Sequence, residues 1–142
     1  SVLGRTDIDA TIIDPDSRQI PKAPGMKYRH YAPAGRMVIV EGEPGQVAAY
    51  INRQAEADRK AGEKTGIIGT TETLELYCAD VVKCVGSREN QADIARRLFA
   101  VLREFDDEKV TSIYSESFSG RGLGQAIMNR LLKAAGNRLV KL

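Results

Sequence analysis

From residue 37 onward, apolar and polar positions fall into two alternating rhythms. Met37-Val38-Ile39-Val40 is a short unbroken apolar run, the pattern of a strand covered on both faces. Glu43-Pro44-Gly45 then opens a helix, with proline where a first-turn N–H would have no partner anyway. Val47, Tyr50, Ile51 and Ala55 recur at helical spacing, and Gly62 marks the end. Thr65–Gly69 predicts a second strand, and Asp80–Val85, rich in β-branched residues, a third. Asn90 followed by Asp93 has the form of a helix start, after which Ile94, Leu98, Val101, Leu102 and Phe105 keep helical spacing to Asp106. Val110–Ser115 predicts a fourth strand through Ile113 and Tyr114. Gly120–Gly124 turns into a last helix carrying Ile127, Leu131 and Leu132, and Leu139-Val140 adds an edge strand. Strands alternating with helices imply right-handed βαβ units. The expected fold is therefore α/β: a small three-layer, Rossmann-like domain over residues 37–142, with a mainly parallel sheet flanked by helices.

Residues 1–36 carry no such rhythm. Asp7, Asp9, Asp14 and Asp16 are interspersed with Pro15, Pro21, Pro24 and Pro33, and only Ala10–Ile13 offers a short extended piece. This stretch reads as a lead-in and an extended linker. The sequence opens on Ser1 rather than Met, which points to a processed chain or a piece of a longer one.

Charge changes the picture only locally. The formal net charge is +2, but no acidic residue follows Glu116, whereas Arg121, Arg130, Lys133, Arg138 and Lys141 all do. Such a bias either guides an anion, phosphate or RNA, or is simply a solvated helix face. RNA ranks lowest, since no aromatic residues interleave with these cations. No apolar run approaches the roughly 18 residues of a membrane span, so a cytoplasmic, non-membrane protein is expected. Cys78 and Cys84 fit neither a zinc knuckle nor a redox CxxC and read as two buried thiols. With one histidine besides, no metal site is expected.

Two segments carry candidate chemistry. Pro24-Gly25-Met26-Lys27-Tyr28-Arg29-His30-Tyr31-Ala32-Pro33 gathers two cations, two phenols and the sole histidine between prolines. It suits an ordered loop that meets an anionic, aromatic ligand such as a nucleotide. Arg29 offers a planar fork for phosphate oxygens, Lys27 a compact charge, Tyr28 and Tyr31 stacking faces, and His30 a donor near neutral pH. Equally, these rings pack the linker onto the domain while the cations face water. The second segment, Gly120-Arg121-Gly122-Leu123-Gly124, lies between a strand and a helix, where free N–H groups can hold an anion. Its spacing is neither GxGxxG nor a P-loop, and a tight strand-to-helix turn also explains Gly120, Gly122 and Gly124. Ser115, Ser117 and Ser119 near a strand end make a poor nucleophile set with the histidine so far away. No complete catalytic set is visible in residues 37–142.

The decapeptide resembles the linker signature of the Sua5/YwlC family, the two-domain threonylcarbamoyl-AMP synthases. Gly122-Leu123-Gly124-Gln125-Ala126-Ile127-Met128-Asn129-Arg130-Leu131 resembles that family's C-terminal Sua5 domain. The resemblance implies an enzyme that joins L-threonine, bicarbonate and ATP (with Mg²⁺) into L-threonylcarbamoyl-adenylate and pyrophosphate. That product feeds the N6-threonylcarbamoyladenosine modification of tRNA. It also implies that catalysis belongs to an N-terminal YrdC-like domain, of which this sequence holds at most the tail. Lys27, Tyr28, Arg29, His30 and Tyr31 would then meet the nucleotide as part of a lid. The chain alone would be inactive, with no cofactor of its own, and would partner its own catalytic domain and, indirectly, the tRNA-modification machinery. A stand-alone nucleotide-binding module and an RNA- or protein-docking module are the alternatives.

Overall fold

The computed structural model describes residues 32–142. Five strands are found among them: β1 (Arg36–Glu41), β2 (Thr65–Gly69), β3 (Val81–Cys84), β4 (Ser112–Glu116) and β5 (Leu139–Lys141). Three helices connect them, α1 (Pro44–Lys60), α2 (Gln91–Asp107) and α3 (Leu123–Ala134), while β2 reaches β3 through a short 3₁₀ turn at Leu74–Leu76. The strand order is β3-β2-β4-β1-β5, and every pairing is parallel. Ile39, for example, lies between Ser115 of β4 and Leu139 of β5.

Handedness decides which face each helix covers. The chain steps one way along the sheet from β1 to β2 and the other way from β3 to β4 and from β4 to β5. Right-handed crossovers therefore put α1 on one face and α2 with α3 on the other. The pleat sorts the side chains to match. Val38, Val40, Ile67 and Tyr114 pack under Val47, Ala48, Ile51 and Ala55 of α1. Met37, Ile39, Ile68 and Ile113 pack under Ile94, Leu98, Leu102 and Phe105 of α2 and Ile127 and Leu131 of α3. The three-layer α/β architecture is thus as the apolar rhythm predicts.

Besides a shorter β3, Val81–Cys84 rather than Asp80–Val85, two local outcomes differ from the sequence reading. Cys78 is exposed and Cys84 half-buried, not two buried thiols, because β3 is the sheet's edge and the loop before it faces solvent. Val110 is buried but precedes β4: its N–H closes the end of α2 on the Phe105 carbonyl at 3.0 Å. Arg121, Arg130, Lys133, Arg138 and Lys141 are all exposed.

The chain joins the sheet at the N-terminal edge of β1. There the Ala34 N–H donates to Asp106 Oδ1 at 2.8 Å, and the Arg36 N–H to the Thr111 carbonyl at 2.9 Å. At the other end of the same strand lies a topological switch point. β1 and its neighbour β4 send the chain to opposite faces, and this is where open parallel sheets leave a crevice.

Candidate functional site

The switch point is built around one buried carboxylate. Glu116 ends β4 two residues beyond Tyr114, so the pleat turns it towards the α1 face, and it is 3% exposed. An ionised carboxylate taken out of water needs donors on its lone pairs. Glu116 has four. Arg88 Nη2 and Thr70 Oγ1 donate to Oε1 at 2.7 and 3.3 Å, and Tyr77 OH donates to Oε2 at 2.6 Å, where Thr73 Oγ1 donates as well. Thr70 and Thr73 follow β2, Tyr77 follows the 3₁₀ turn, and Arg88 lies between β3 and α2. Burial, then the hydrogen bond to Glu116, pushes the Tyr77 phenol well above the usual tyrosine range, so this ring is a permanent donor.

Arg88 is held from several sides. Nη2 also donates to the Ser117 carbonyl at 2.9 Å, and the guanidinium lies 4.5 Å over the Phe118 ring, a cation–π contact. Its loop is tied by Glu72, whose carboxylate accepts from Ser87 Oγ at 2.5 Å and from the Arg88 N–H at 3.1 Å. These same two bonds hold the Glu72 carboxyl below the ordinary glutamate range.

Beside this cluster opens a crevice of about 360 Å³. Val40, Glu41 and Gly42 at the end of β1 form one side, with Pro44 and Val47 of α1. Glu116, Ser117 and Ser119 at the end of β4 form the other, with Thr73 and Arg88 at the rim. The arrangement presents a fixed guanidinium, hydroxyls and an apolar wall. That is a binding chemistry, and among the described residues no three metal-ligating side chains converge.

Lys27, Tyr28, Arg29, His30 and Tyr31, expected from the sequence to meet a nucleotide, lie outside the described residues. Gly120, Arg121, Gly122 and Gly124 sit at the start of α3, the first three exposed. Their glycines have backbone reasons. Gly122 is the N-cap with φ 61° and ψ −117°, a conformation open only to glycine. At Gly124 a Cβ would stand 2.4 Å from the Ser119 carbonyl oxygen. None of these four lines the crevice. The sequence reading did not single out Thr70, Thr73, Tyr77, Arg88 or Glu116.

Comparison with known proteins matches residues 2–136 to the family described as threonylcarbamoyl-AMP synthase, C-terminal domain. The threonylcarbamoyl-AMP synthase of Bacillus subtilis is 39% identical over 99% of this chain, and that of Pyrococcus abyssi 42% identical over 85%. The chain spans 39% and 34% of the length of these two relatives. Among solved structures, P. abyssi Sua5 complexed with L-threonine superposes with a TM-score of 0.71 at 40% identity, covering 84% of this chain and 34% of that one. A variant of the same protein, with a histidine and the adjacent tyrosine replaced by alanine, superposes at 0.70 and 38% identity over 84% and 33% of the two chains. The C-terminal Sua5 domain from Pyrococcus horikoshii superposes at 0.62 and 34% identity, covering 78% of this chain and all of that one.

Proposed function

The chain belongs to the threonylcarbamoyl-AMP synthase C-terminal domain family, and on that premise we propose that it serves as the accessory domain of an L-threonylcarbamoyladenylate synthase. The reaction it supports joins L-threonine, bicarbonate and MgATP into threonylcarbamoyl-AMP and pyrophosphate, for N6-threonylcarbamoyladenosine in tRNA. Chemistry takes place in a YrdC-like partner domain, and the 142-residue chain alone is inactive. Lys27–Tyr31 closes over the nucleotide held there, Arg29 and Lys27 facing phosphate oxygens and the tyrosines the base.

The observation that carries this reading is the extent of the family match, which runs through the decapeptide and the α/β domain together. Two others support it. The sole His-Tyr pair of this chain is His30-Tyr31, and a His-Tyr pair is what the P. abyssi variant alters. The bonds at Ala34 and Arg36 give the segment before them a fixed end on the domain, which a lid needs if its closure is to be reproducible. The test is threonine- and bicarbonate-dependent pyrophosphate release by the full-length protein. Deleting residues 24–142, or substituting Arg29→Ala with Tyr31→Ala, is expected to lower kcat/KM for ATP at least about tenfold, roughly 1.4 kcal/mol of transition-state stabilisation. Undiminished turnover after the deletion sinks the accessory role.

A further inference from the structure

A domain that only anchors a lid leaves the switch-point crevice unexplained. The anchor bonds at Ala34 and Arg36 are at the N-terminal edge of the sheet, whereas the crevice opens at the C-terminal edge. We propose that this crevice is a binding site for a small α-amino acid, taken as the zwitterion, with its carboxylate on Arg88 and its ammonium on Glu41.

Arg88 supplies the anion half. Among the described residues its Nη2 alone is hydrogen-bonded, to Glu116 and the Ser117 carbonyl, and the ring of Phe118 fixes the plane of the group. Its Nε and Nη1 donors have no partner among the described residues, and the side chain is 39% exposed. A planar fork with donors to spare matches a carboxylate edge, and holding it in place beforehand removes most of the ordering cost of binding. The hydroxyls of Ser117 and Ser119 line the same crevice and make no hydrogen bond among the described residues. They are at hand for the second carboxylate oxygen.

Charge balance selects the rest of the ligand. The crevice is lined by one cation, Arg88, and two carboxylates, Glu41 and Glu116. Glu116 is buried and saturated by donors, but Glu41 is exposed and forms no ion pair among the described residues. A pyrophosphate or triphosphate would bring several negative charges against a net negative lining, which disfavours it. A molecule with one carboxylate and one ammonium satisfies both ends without adding net charge. Val40 and Val47 supply an apolar wall for the side chain, and about 360 Å³ lies within the range of small-molecule pockets.

The test is a ¹⁵N–¹H correlation titration of the whole 142-residue chain with L-threonine, L-serine and L-leucine, with AMP and inorganic pyrophosphate as controls. Saturable shifts of the Gly42, Ser117 and Ser119 amides are expected with at least one amino acid, at a Kd in the millimolar range or below, about −4 kcal/mol or stronger. Arg88→Lys keeps the charge and loses the fork, and Glu41→Gln removes the ammonium's partner. Each should weaken binding at least about tenfold. Ser119→Phe fills the crevice without touching the Glu116 network and should abolish the shifts while the rest of the spectrum is unchanged. The proposal is overturned if no amino acid moves these amides at about 20 mM, well above a millimolar Kd. It also falls if AMP or pyrophosphate moves them and amino acids do not, or if the shifts persist in Ser119→Phe. Because the titration reads binding and not turnover, a negative result leaves the accessory reading standing.

Discussion

Glu116 shows how far a single residue can lie from any signal in the sequence. Its donors come from positions 46, 43, 39 and 28 residues before it, and no spacing rule links Thr70, Thr73, Tyr77 and Arg88 to a glutamate at a strand's end. The one available hint is an acidic residue two positions after Tyr114, at the end of the strand of Ile113 and Tyr114, where the chain should be turning out of the core. The decapeptide, in contrast, stands out because its cations and rings are adjacent, which is why local reading finds it first. The structure assigns the Glu116 network a cost if broken. Glu116→Ala strands the buried Tyr77 hydroxyl, leaves the buried Thr70 and Thr73 hydroxyls only each other and the Thr70 carbonyl to donate to, and takes the counter-charge from Arg88. An unsatisfied buried donor costs about 1–3 kcal/mol, and a lost bond to a charged acceptor about 1.5–3 kcal/mol. The Arg88 side chain, 39% exposed, regains water, so about 3 kcal/mol is expected. Tyr77→Phe removes one donor to a charged acceptor, and about 1.5 kcal/mol is expected. Guanidinium titrations followed by circular dichroism check both values, and a Glu116→Ala loss below that of Tyr77→Phe would contradict the network.

At the scale of the elements, most of the architecture is legible because burial imposes periodicity. β1 and β2 are unbroken apolar or small runs since both faces are covered, and α2 shows its core stripe at Ile94, Leu98, Val101, Leu102 and Phe105. What misleads is an apolar residue buried for another reason. Val110 extends the predicted strand backwards, yet it packs under the end of α2 after Lys109 has turned the chain at φ 61°. At β3 the boundary is moved by Asp80, whose carboxylate accepts from the Thr65 N–H and hydroxyl at 3.0 and 3.2 Å and so ends the loop before the strand. The Asn90–Asp93 signal reads correctly: Asn90 Oδ1 accepts from the Asp93 N–H at 3.1 Å. Neither α1 nor α3 has a side-chain cap of this kind. Asn90→Ala should therefore cost about 1 kcal/mol, measured by chemical denaturation. A neutral result would mean that packing of the stripe alone fixes where α2 begins.

For the molecule as a whole, ionisable groups with displaced titrations set the pH range of stability, and the two limbs have different causes. On the acid side Glu72, Asp80 and Glu108 are held below their ordinary values, chiefly by Ser87, by the Thr65 N–H and by Lys83 respectively. The unfolded chain takes up protons first, so their stabilisation is present above the usual carboxylate range and drains away as pH falls through the lower folded values. These groups lie at the surface, and the acid limb should be shallow. The alkaline limb draws on two tyrosines, Tyr114 in the middle of β4 and Tyr77 beside Glu116 at its end. Tyr114 donates to Asp58 Oδ2 at 2.6 Å, and burial together with that carboxylate pushes its phenol from 10.0 up to about 12. Tyr77, beside Glu116, is displaced upward for the same two reasons. Above pH 10 the unfolded chain loses these protons while the folded chain keeps them. The native state then binds more protons, and stability falls with rising pH. Between about pH 5 and 10 the denaturation midpoint should be nearly flat, with a decline between pH 10 and about 12 to which Tyr114 contributes directly. Tyr114→Phe should lower the plateau, since Asp58 loses a donor, but flatten that decline, because phenylalanine has no proton to lose. Midpoints of urea unfolding at half-unit pH steps distinguish the two effects. If the variant's slope above pH 10 equals that of the parent, the Tyr114–Asp58 bond plays no part in the alkaline limit, which Tyr77 and Lys83, an ammonium held above its ordinary value by Glu108 and Glu104, then carry.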